Sequence, residues 1–330
     1  MCNHSQQVFK KNGDSWIYLN LNNVWYCYDS NSIPIGKGAM GTVYLGFNCN
    51  TNLRIAVKRV KDVYANNKIV RDRAKQEASL SFCHPNLVQM IGLCEVLPDQ
   101  GPIFILSEYV SGITLDVHVR EQLNNLNHKD KIEKISTELC KVLDALQYLH
   151  ERGVVHRDVK PSNIMIENGS VIKLMDLGIA RLNGGNKYSS CGFVGTPQYA
   201  APEQILRNND DLQICPQTDI YALGVTYYEL LTGKNPFKTD IEADVLYRQI
   251  KMKLPYDKRI PRSIFNVILK ATEKMPSKRY KTALEFKNAI LDAIESSEKK
   301  ILRDWILINW IFIFGVLVIF LILVMILFTI

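Results

Sequence analysis

The chain changes its periodicity once, near Val110, and that change constrains its fold more than any composition figure. Before it, from about Ile33, apolar residues come in short β-like runs: "TVYLGF", "RIAVKRV", "LVQMIGLCEV" and "IFILSEYV". Short runs rich in β-branched and aromatic side chains predict strands. One charged helical stretch interrupts them, "NNKIVRDRAKQEASL". After it, from about Leu115 to Ile294, helical spacing dominates. "KIEKISTELCKVLDALQYLHERG" sets apolar residues at helical intervals and stops on Gly153. "IYALGVTYYELLTG" is mostly apolar, as a buried helix is. The expected class is therefore α+β, with a small sheet-rich lobe, a larger helical lobe and a ligand cleft where they meet. Ahead of the small lobe, "WIYLNLNNVWYCY" (Trp16 to Tyr28) alternates around Asn22 and Asn23 and predicts a short hairpin.

The last 26 residues, Trp305 to Ile330, carry no charged side chain. As a helix at about 1.5 Å per residue they would reach roughly 39 Å, more than the ~30 Å hydrocarbon core of a bilayer. A transmembrane helix is expected there. Lys299, Lys300 and Arg303 precede it, which places the rest of the chain on the cytoplasmic side, and Trp305 and Trp310 stand where interfacial aromatics belong. Nothing follows Ile330, so a tail anchor is the expectation. A chain that has lost an outer domain is the alternative left open.

A length of 330 residues allows one large domain or two small ones. The net charge of +7 is spread along the sequence, so nucleic-acid binding is not expected. The eight cysteines form no CxxC pair, and reduced thiols are expected rather than a disulfide framework or a zinc site. "MCNHSQQVFKKNGDS" has no apolar core, so no signal peptide is expected.

"IGKGAMGTVYLG" holds Gly36, Gly38 and Gly41 in G-x-G-x-x-G spacing. Alone the pattern is weak. A dinucleotide-binding version opens a helix, whereas here the next residues predict a strand. That context favours a glycine hairpin whose backbone N–H groups approach phosphates, because no Cβ stands in the way. Four more segments follow in order: "RIAVKRV" with Lys58, "VVHRDVKPSNIMI" with His156, Arg157, Asp158, Lys160 and Asn163, "IKLMDLGIAR" with Asp176, and "GTPQYAAPEQ" from Gly195 to Gln204.

Together these motifs identify a chain that resembles the eukaryotic-type serine/threonine protein kinases, and most of all their bacterial membrane-bound members. The resemblance covers roughly residues 30–290. It implies a bilobal protein kinase fold: a small antiparallel β lobe with one main helix and a larger, mostly α lobe. The implied division is an N-terminal extension over 1–28, a kinase domain over 29–292 (small lobe about 29–110, large lobe about 111–292), a basic linker over 293–304 and the membrane helix over 305–330.

The resemblance also assigns roles. ATP and Mg²⁺ are the implied cofactors, and protein Ser/Thr hydroxyls the implied acceptors. Lys58 would hold the α- and β-phosphates, Asn163 and Asp176 the metal, and Asp158 the acceptor hydroxyl, with Lys160 near the γ-phosphate. The ATP site would comprise Ile35, Gly36, Lys37, Gly38, Ala39, Met40, Gly41, Val43, Ala56, Lys58 and Met165. Ser107, Glu108 and Val110 would form the hinge, with Ser107 at the entrance to a back pocket. Thr196 fits a docking-loop threonine that supports Asp158 and Lys160. Asp219, Glu203 and Arg279 look architectural.

Two positions depart from the family pattern. The usual spacing puts Lys75, not Glu77, where a glutamate pairs with Lys58. Either the connection after this helix is two residues short and Glu77 faces Lys58, or the ion pair is absent; Glu77 is the favoured partner, because Lys75 would repel Lys58. Leu177 replaces the commoner Phe. Arg157 beside Asp158 implies control by phosphorylation of the segment from Asp176 to Glu203, with Ser189, Ser190 and Thr196 as candidate sites. A non-catalytic binding module of the same fold would lack one of Lys58, Asp158, Asn163 or Asp176, and all four are present. A small-molecule kinase of related fold is disfavoured by "GTPQYAAPEQ", which in the resembling family docks protein substrates. Anchoring in a membrane would concentrate copies of the chain and favour self-association and autophosphorylation in trans.

Overall fold

The computed structural model describes residues 8–10, 13–38, 41–65, 68, 71–72, 74–75, 82–97, 100–176, 196–206, 213–296 and 310. Eight strands make the first sheet: β1 (Val8–Lys10), β2 (Trp16–Leu21), β3 (Val24–Asp29), β4 (Gly36–Lys37), β5 (Gly41–Asn48), β6 (Arg54–Val60), β7 (Met90–Leu97) and β8 (Gln100–Glu108). Their order is β1-β2-β3-β5-β6-β8-β7, all antiparallel, with β4 paired to β5 alone.

The β2–β3 hairpin closes through a two-residue loop, since Leu21 opposes Val24. Asn22 and Asn23 sit there at φ 51° and 66°. Both central residues of such a loop need positive φ, which Asn tolerates better than most residues. Residues 1–28, read from sequence as an extension, are not a separate unit where described. Tyr26, Cys27 and Tyr28 of β3 pair with Asn48, Phe47 and Gly46 of β5. The hairpin then curls over the sheet toward β7. Leu21 fills the space left by Gly92, where a Cβ would sit 2.3 Å from Leu21 Cδ2. Leu19, Tyr28, Val57, Cys94, Phe104 and Leu106 form the core enclosed between them.

The run "IFILS" in β8 is apolar at successive positions because both faces are covered. Phe104 and Leu106 face the hairpin core, while Ile103 and Ile105 pack with Val60 and Ala74 on the opposite face. Ala74 belongs to the helical residues 71–72 and 74–75, and α1 (Asp62–Ala65) precedes them.

The second lobe is built on α3 (His128–His150) and α5 (Pro216–Thr232). Asn127 caps α3 by accepting from Asp130 N at 3.0 Å. α5 is buried along nearly its whole length, which explains why its sequence shows no polar face. Around them lie α2 (Leu115–Glu121), α4 (Pro202–Ile205), α6 (Glu242–Lys251), α7 (Arg262–Ala271) and α8 (283–296). A small sheet, β11-β10-β9, lines the side facing the first lobe: β9 (Gly112–Thr114), β10 (Ile164–Glu167) and β11 (Val171–Leu174).

Among the described residues the backbone joins the lobes at two places. The chain runs directly from β8 into β9. In addition, residues 86–88 lie along β11: Leu174 N donates to Asn86 O (2.8 Å), Val88 N to Leu174 O (3.0 Å) and Asn86 Nδ2 to Ile172 O (2.9 Å). The start of β7 is thereby tied to the large lobe. Among the described residues no helix is long and apolar enough to cross a membrane, and Trp305–Ile330, apart from Trp310, lies outside them.

Candidate active site

The cleft between the lobes has an apolar roof and floor with charged groups at one end. Ile35, Val43 and Ala56 line the small-lobe side, and Met165 and Leu174 the large-lobe side. Ser107, Glu108, Tyr109 and Val110 form its back edge. Phe82, Leu87, Met90 and Ile105 line the same cavity. Flat apolar walls with a peptide backbone along one edge suit a planar heteroaromatic ring. The amide of Glu108 is already bonded to Gln89 O at 2.9 Å, so an incoming ring would use the Glu108 carbonyl.

The glycine segment is a hairpin that leads into a strand. Ile35 N donates to Val43 O and Gly38 N to Gly41 O, each at 2.9 Å. Gly41 has no room for a side chain, because a Cβ would lie 2.5 Å from Arg59 O. Lys37 and Gly38 belong to this hairpin; Ala39 and Met40 lie outside the described residues.

At the charged end, Lys58 Nζ meets Asp176 Oδ1 at 2.8 Å. The Asp176 side chain remains 45% exposed toward the cleft. Burial against protein atoms disfavours its charge, but Lys58, with help from His156 and Lys160, outweighs that and holds its pKa below the usual carboxylate range. Lys75 has a different partner, Glu95 of β7, at 3.3 Å, and Arg71 binds the same carboxylate at 2.8 Å. Glu77 lies outside the described residues.

The loop before β10 carries the second charged group. Asp158 is 8% exposed, and its Oδ2 accepts from Asn163 Nδ2 (2.9 Å) and lies 3.2 Å from Lys160 Nζ. Lys160 Nζ also donates to Thr196 Oγ1 at 2.7 Å. Asp219 holds this loop from below. Its carboxylate accepts from His156 N (2.8 Å), Arg157 N (2.7 Å) and His150 (2.7 Å) while fully buried. Burial opposes the Asp219 charge; the His150 hydrogen bond and the other donors outweigh it, so its pKa is lowered. These bonds also explain why Arg157, a non-glycine, holds φ 68°: the surroundings over-determine a conformation disfavoured by itself.

His156 fixes the distance between the two charged centres. Its Nδ1 accepts from Asp158 N (3.3 Å), which leaves Nε2 to donate to Met175 O (3.1 Å), next to Asp176. The ring is completely buried, and burial depresses its pKa despite the acidic neighbours, so it is a neutral link.

The donor chemistry fits a hard divalent cation, which prefers oxygen. Asp176 offers a carboxylate at the cleft. The nitrogen of Asn163 is committed to Asp158, so its amide oxygen is the ligand atom on offer.

The protein kinase domain family matches residues 30–290, most of the chain. The chain belongs to that family. Among curated relatives of this chain, the serine/threonine-protein kinase PrkC of Bacillus subtilis is 32% identical over 269 residues, 79% of this chain and 40% of PrkC. The serine/threonine-protein kinase PknB of Mycobacterium tuberculosis is 34% identical over 263 residues, 77% of this chain and 41% of PknB. The chain thus spans about two fifths of the length of the curated relatives it matches. The PknI kinase domain of M. tuberculosis has the same fold, with a TM-score of 0.59 at 23% identity, covering 81% of this chain and 96% of that one.

Several residues that organise the kinase site escaped the sequence. Lys173 on β11 bonds Glu108 at 2.7 Å across the hinge. His150 supports Asp219 from the end of α3. Tyr199 OH donates to Glu229 at 2.6 Å beneath the 196–199 loop. Each pair is distant in sequence, and no local spacing announces it. The phosphorylation candidates Ser189 and Ser190 lie outside the described residues, whereas the Thr196 hydroxyl is engaged by Lys160.

Proposed function

We propose that the chain is an active serine/threonine protein kinase that transfers the γ-phosphoryl group of ATP to protein hydroxyls. The observation that carries this reading is the convergence of Asp158, Lys160, Asn163 and Thr196 with Lys58 and Asp176 at one end of an apolar cleft. Phosphoryl transfer asks a protein mainly for positioning and charge neutralisation.

In this reading the adenine ring sits between Ala56 and Met165, with its edge on the hinge carbonyl of Glu108. The glycine hairpin approaches the phosphates, and Lys58 neutralises their oxygens. Magnesium held by Asp176 and Asn163 supplies further charge neutralisation of the transferring group. Asp158, aimed by Asn163 and Lys160, orients the acceptor hydroxyl and takes its proton. Lys160 shares its ammonium between Asp158 and Thr196 and so sets where the acceptor segment lies. Glu77 remains the proposed partner of Lys58, a choice supported by the engagement of Lys75 with Glu95. With Thr196 engaged by Lys160, activation by phosphorylation falls to Ser189 or Ser190. The uncharged stretch from Trp305 to Ile330 and the basic residues before it support a membrane anchor with the kinase domain on the cytoplasmic face.

The test is magnesium-dependent transfer of labelled γ-phosphate to a basic carrier protein and to the chain itself. Wild type should label Ser and Thr, while Lys58→Met and Asp158→Asn should not. Equal labelling by Asp158→Asn, or none by wild type in any preparation that binds ATP, would overturn the reading.

A further inference from the structure

We infer that Gln249, on α6, is a positioning residue that sets the 196–199 loop and thereby the protein-substrate side of the cleft. This rests on the kinase reading above.

α6 has two buried residues, Val245 and Gln249, one turn apart. Gln249 is fully buried, and a buried amide is tolerated only when its donors and acceptor are satisfied. Here they are. Gln249 Nε2 donates to Pro197 O (3.2 Å) and Gln198 O (2.5 Å), and Oε1 accepts from Tyr221 OH at 2.6 Å.

The orientation of that amide follows from its neighbours. Pro197 O and Gln198 O can only accept, so the amide nitrogen must face the loop. That leaves Oε1 to accept the Tyr221 hydroxyl hydrogen. Lys274 Nζ lies beside the pair, 2.8 Å from Tyr221 OH and 2.7 Å from Gln249 O. Asn235 adds a second donor to Gln198 O at 3.3 Å.

The loop carbonyls held in this way belong to the residues directly after Thr196. Thr196 takes the Lys160 ammonium, which in turn lies against Asp158. Four contacts thus connect α6 to the Asp158 carboxylate. Losing the Gln249 donor leaves Pro197 O only the Ala200 amide at 3.2 Å and Gln198 O only Asn235 at 3.3 Å. The tie from α6 to the loop is then gone, and the loop and Thr196 are held less tightly. Of these linked groups only Lys160 reaches toward the phosphates; the adenine pocket of Ala56, Met165 and Glu108 makes none of these contacts.

Two variants of the full-length chain test this. Gln249→Glu keeps the shape and the acceptor for Tyr221 but turns an oxygen toward the two carbonyls. Gln249→Leu removes both functions. With a basic Ser/Thr peptide as acceptor, both should lower kcat/KM for the peptide by roughly tenfold to a hundredfold, the scale of a small misplacement. The KM for ATP should stay within about twofold, since no contact to the adenine pocket changes. Hydrogen–deuterium exchange of residues 196–206 should quicken in both. Unchanged peptide kinetics and unchanged exchange in Gln249→Glu would overturn the inference, as would a uniform loss of ATP and peptide kinetics. If wild type transfers no phosphate, the kinase reading fails, and the exchange measurement still decides whether Gln249 sets the loop.

Discussion

The two sides of the cleft are held together by different means. On the large-lobe side the geometry is over-determined. Asp219 is fully buried under three donors, His156 is fully buried between Asp158 and Met175, and the Glu203–Arg279 pair beneath them is inaccessible to solvent at 2.6 Å and 2.8 Å. On the small-lobe side an apolar sandwich lies beside a partly exposed pair, Lys58 with Asp176. On the proposed function the difference follows from the task. An acceptor hydroxyl must meet its base within tenths of an ångström, which demands fixed groups. A nucleotide must enter and leave, which demands groups that lose little when they part.

The sharpest way to break this comparison is Asp158→Asn. Loss of a positioned base should cut kcat by about 10²- to 10⁴-fold with the KM for ATP nearly unchanged, measured by steady-state phosphoryl transfer. A parallel rise in the ATP KM would show that the two sides are not independent. Next in size is Glu203→Gln, which strands Arg279 in the interior. A denaturant melt should show a loss of about 3–5 kcal/mol, as for other half-broken buried pairs.

Lys274 offers a pH test of the same buried layer. Burial, with Arg279 nearby, pushes its pKa down to about 7 from an ordinary 10.5. Between those values the unfolded chain holds a proton that the folded chain has released. Stability must therefore rise with pH above about 7 through this group. The difference in unfolding free energy between wild type and Lys274→Met, followed from pH 7 to 9, should move in favour of wild type. A flat difference would show that the ammonium stays charged inside.

The small-lobe side should respond least to the loss of its charge in a stability measurement. Lys58→Met removes a partly exposed pair and should change the melt by only about 0–1 kcal/mol, although phosphate transfer is lost. Smaller still is Ser107→Met, which should leave ATP use nearly intact and reduce use of bulky N6-substituted analogues that need the cavity Ser107 lines. Equal use of the analogues by the variant would mean that this cavity does not receive them.

Much of the site was legible from sequence, because its chemistry fixes both residue type and order. In the proposed function Lys58, Asp158, Asn163 and Asp176 each supply a charge or an oxygen that few other residues offer, so they stand out against their surroundings. Their supports did not stand out equally. Glu108 with Lys173, His150 with Asp219, and Gln249 with Gln198 are 65, 69 and 51 positions apart. Single polar residues at such separations look like ordinary surface residues until the fold buries them. The hairpin at Trp16–Asp29 shows the same limit in the fold. Its turn was readable in Asn22 and Asn23, but its place was not. The pairing of β3 with β5, which makes it part of the small-lobe sheet, is a matter of register between distant strands.

The sequence by itself determined the change from strands to helices near Val110, the glycine hairpin, the reactive groups and the apolar stretch at the end. Those are local properties: side-chain period, backbone freedom, charge and hydropathy. Only the tertiary structure decided that the N-terminal hairpin closes over the β sheet, that Lys75 turns to Glu95, and that a buried glutamine on α6 bonds the loop beside Asp158. Those depend on which distant groups are driven out of water together. Hydrophobic burial chooses the neighbours without direction, and only then does each stranded polar atom find the partner that fixes its geometry.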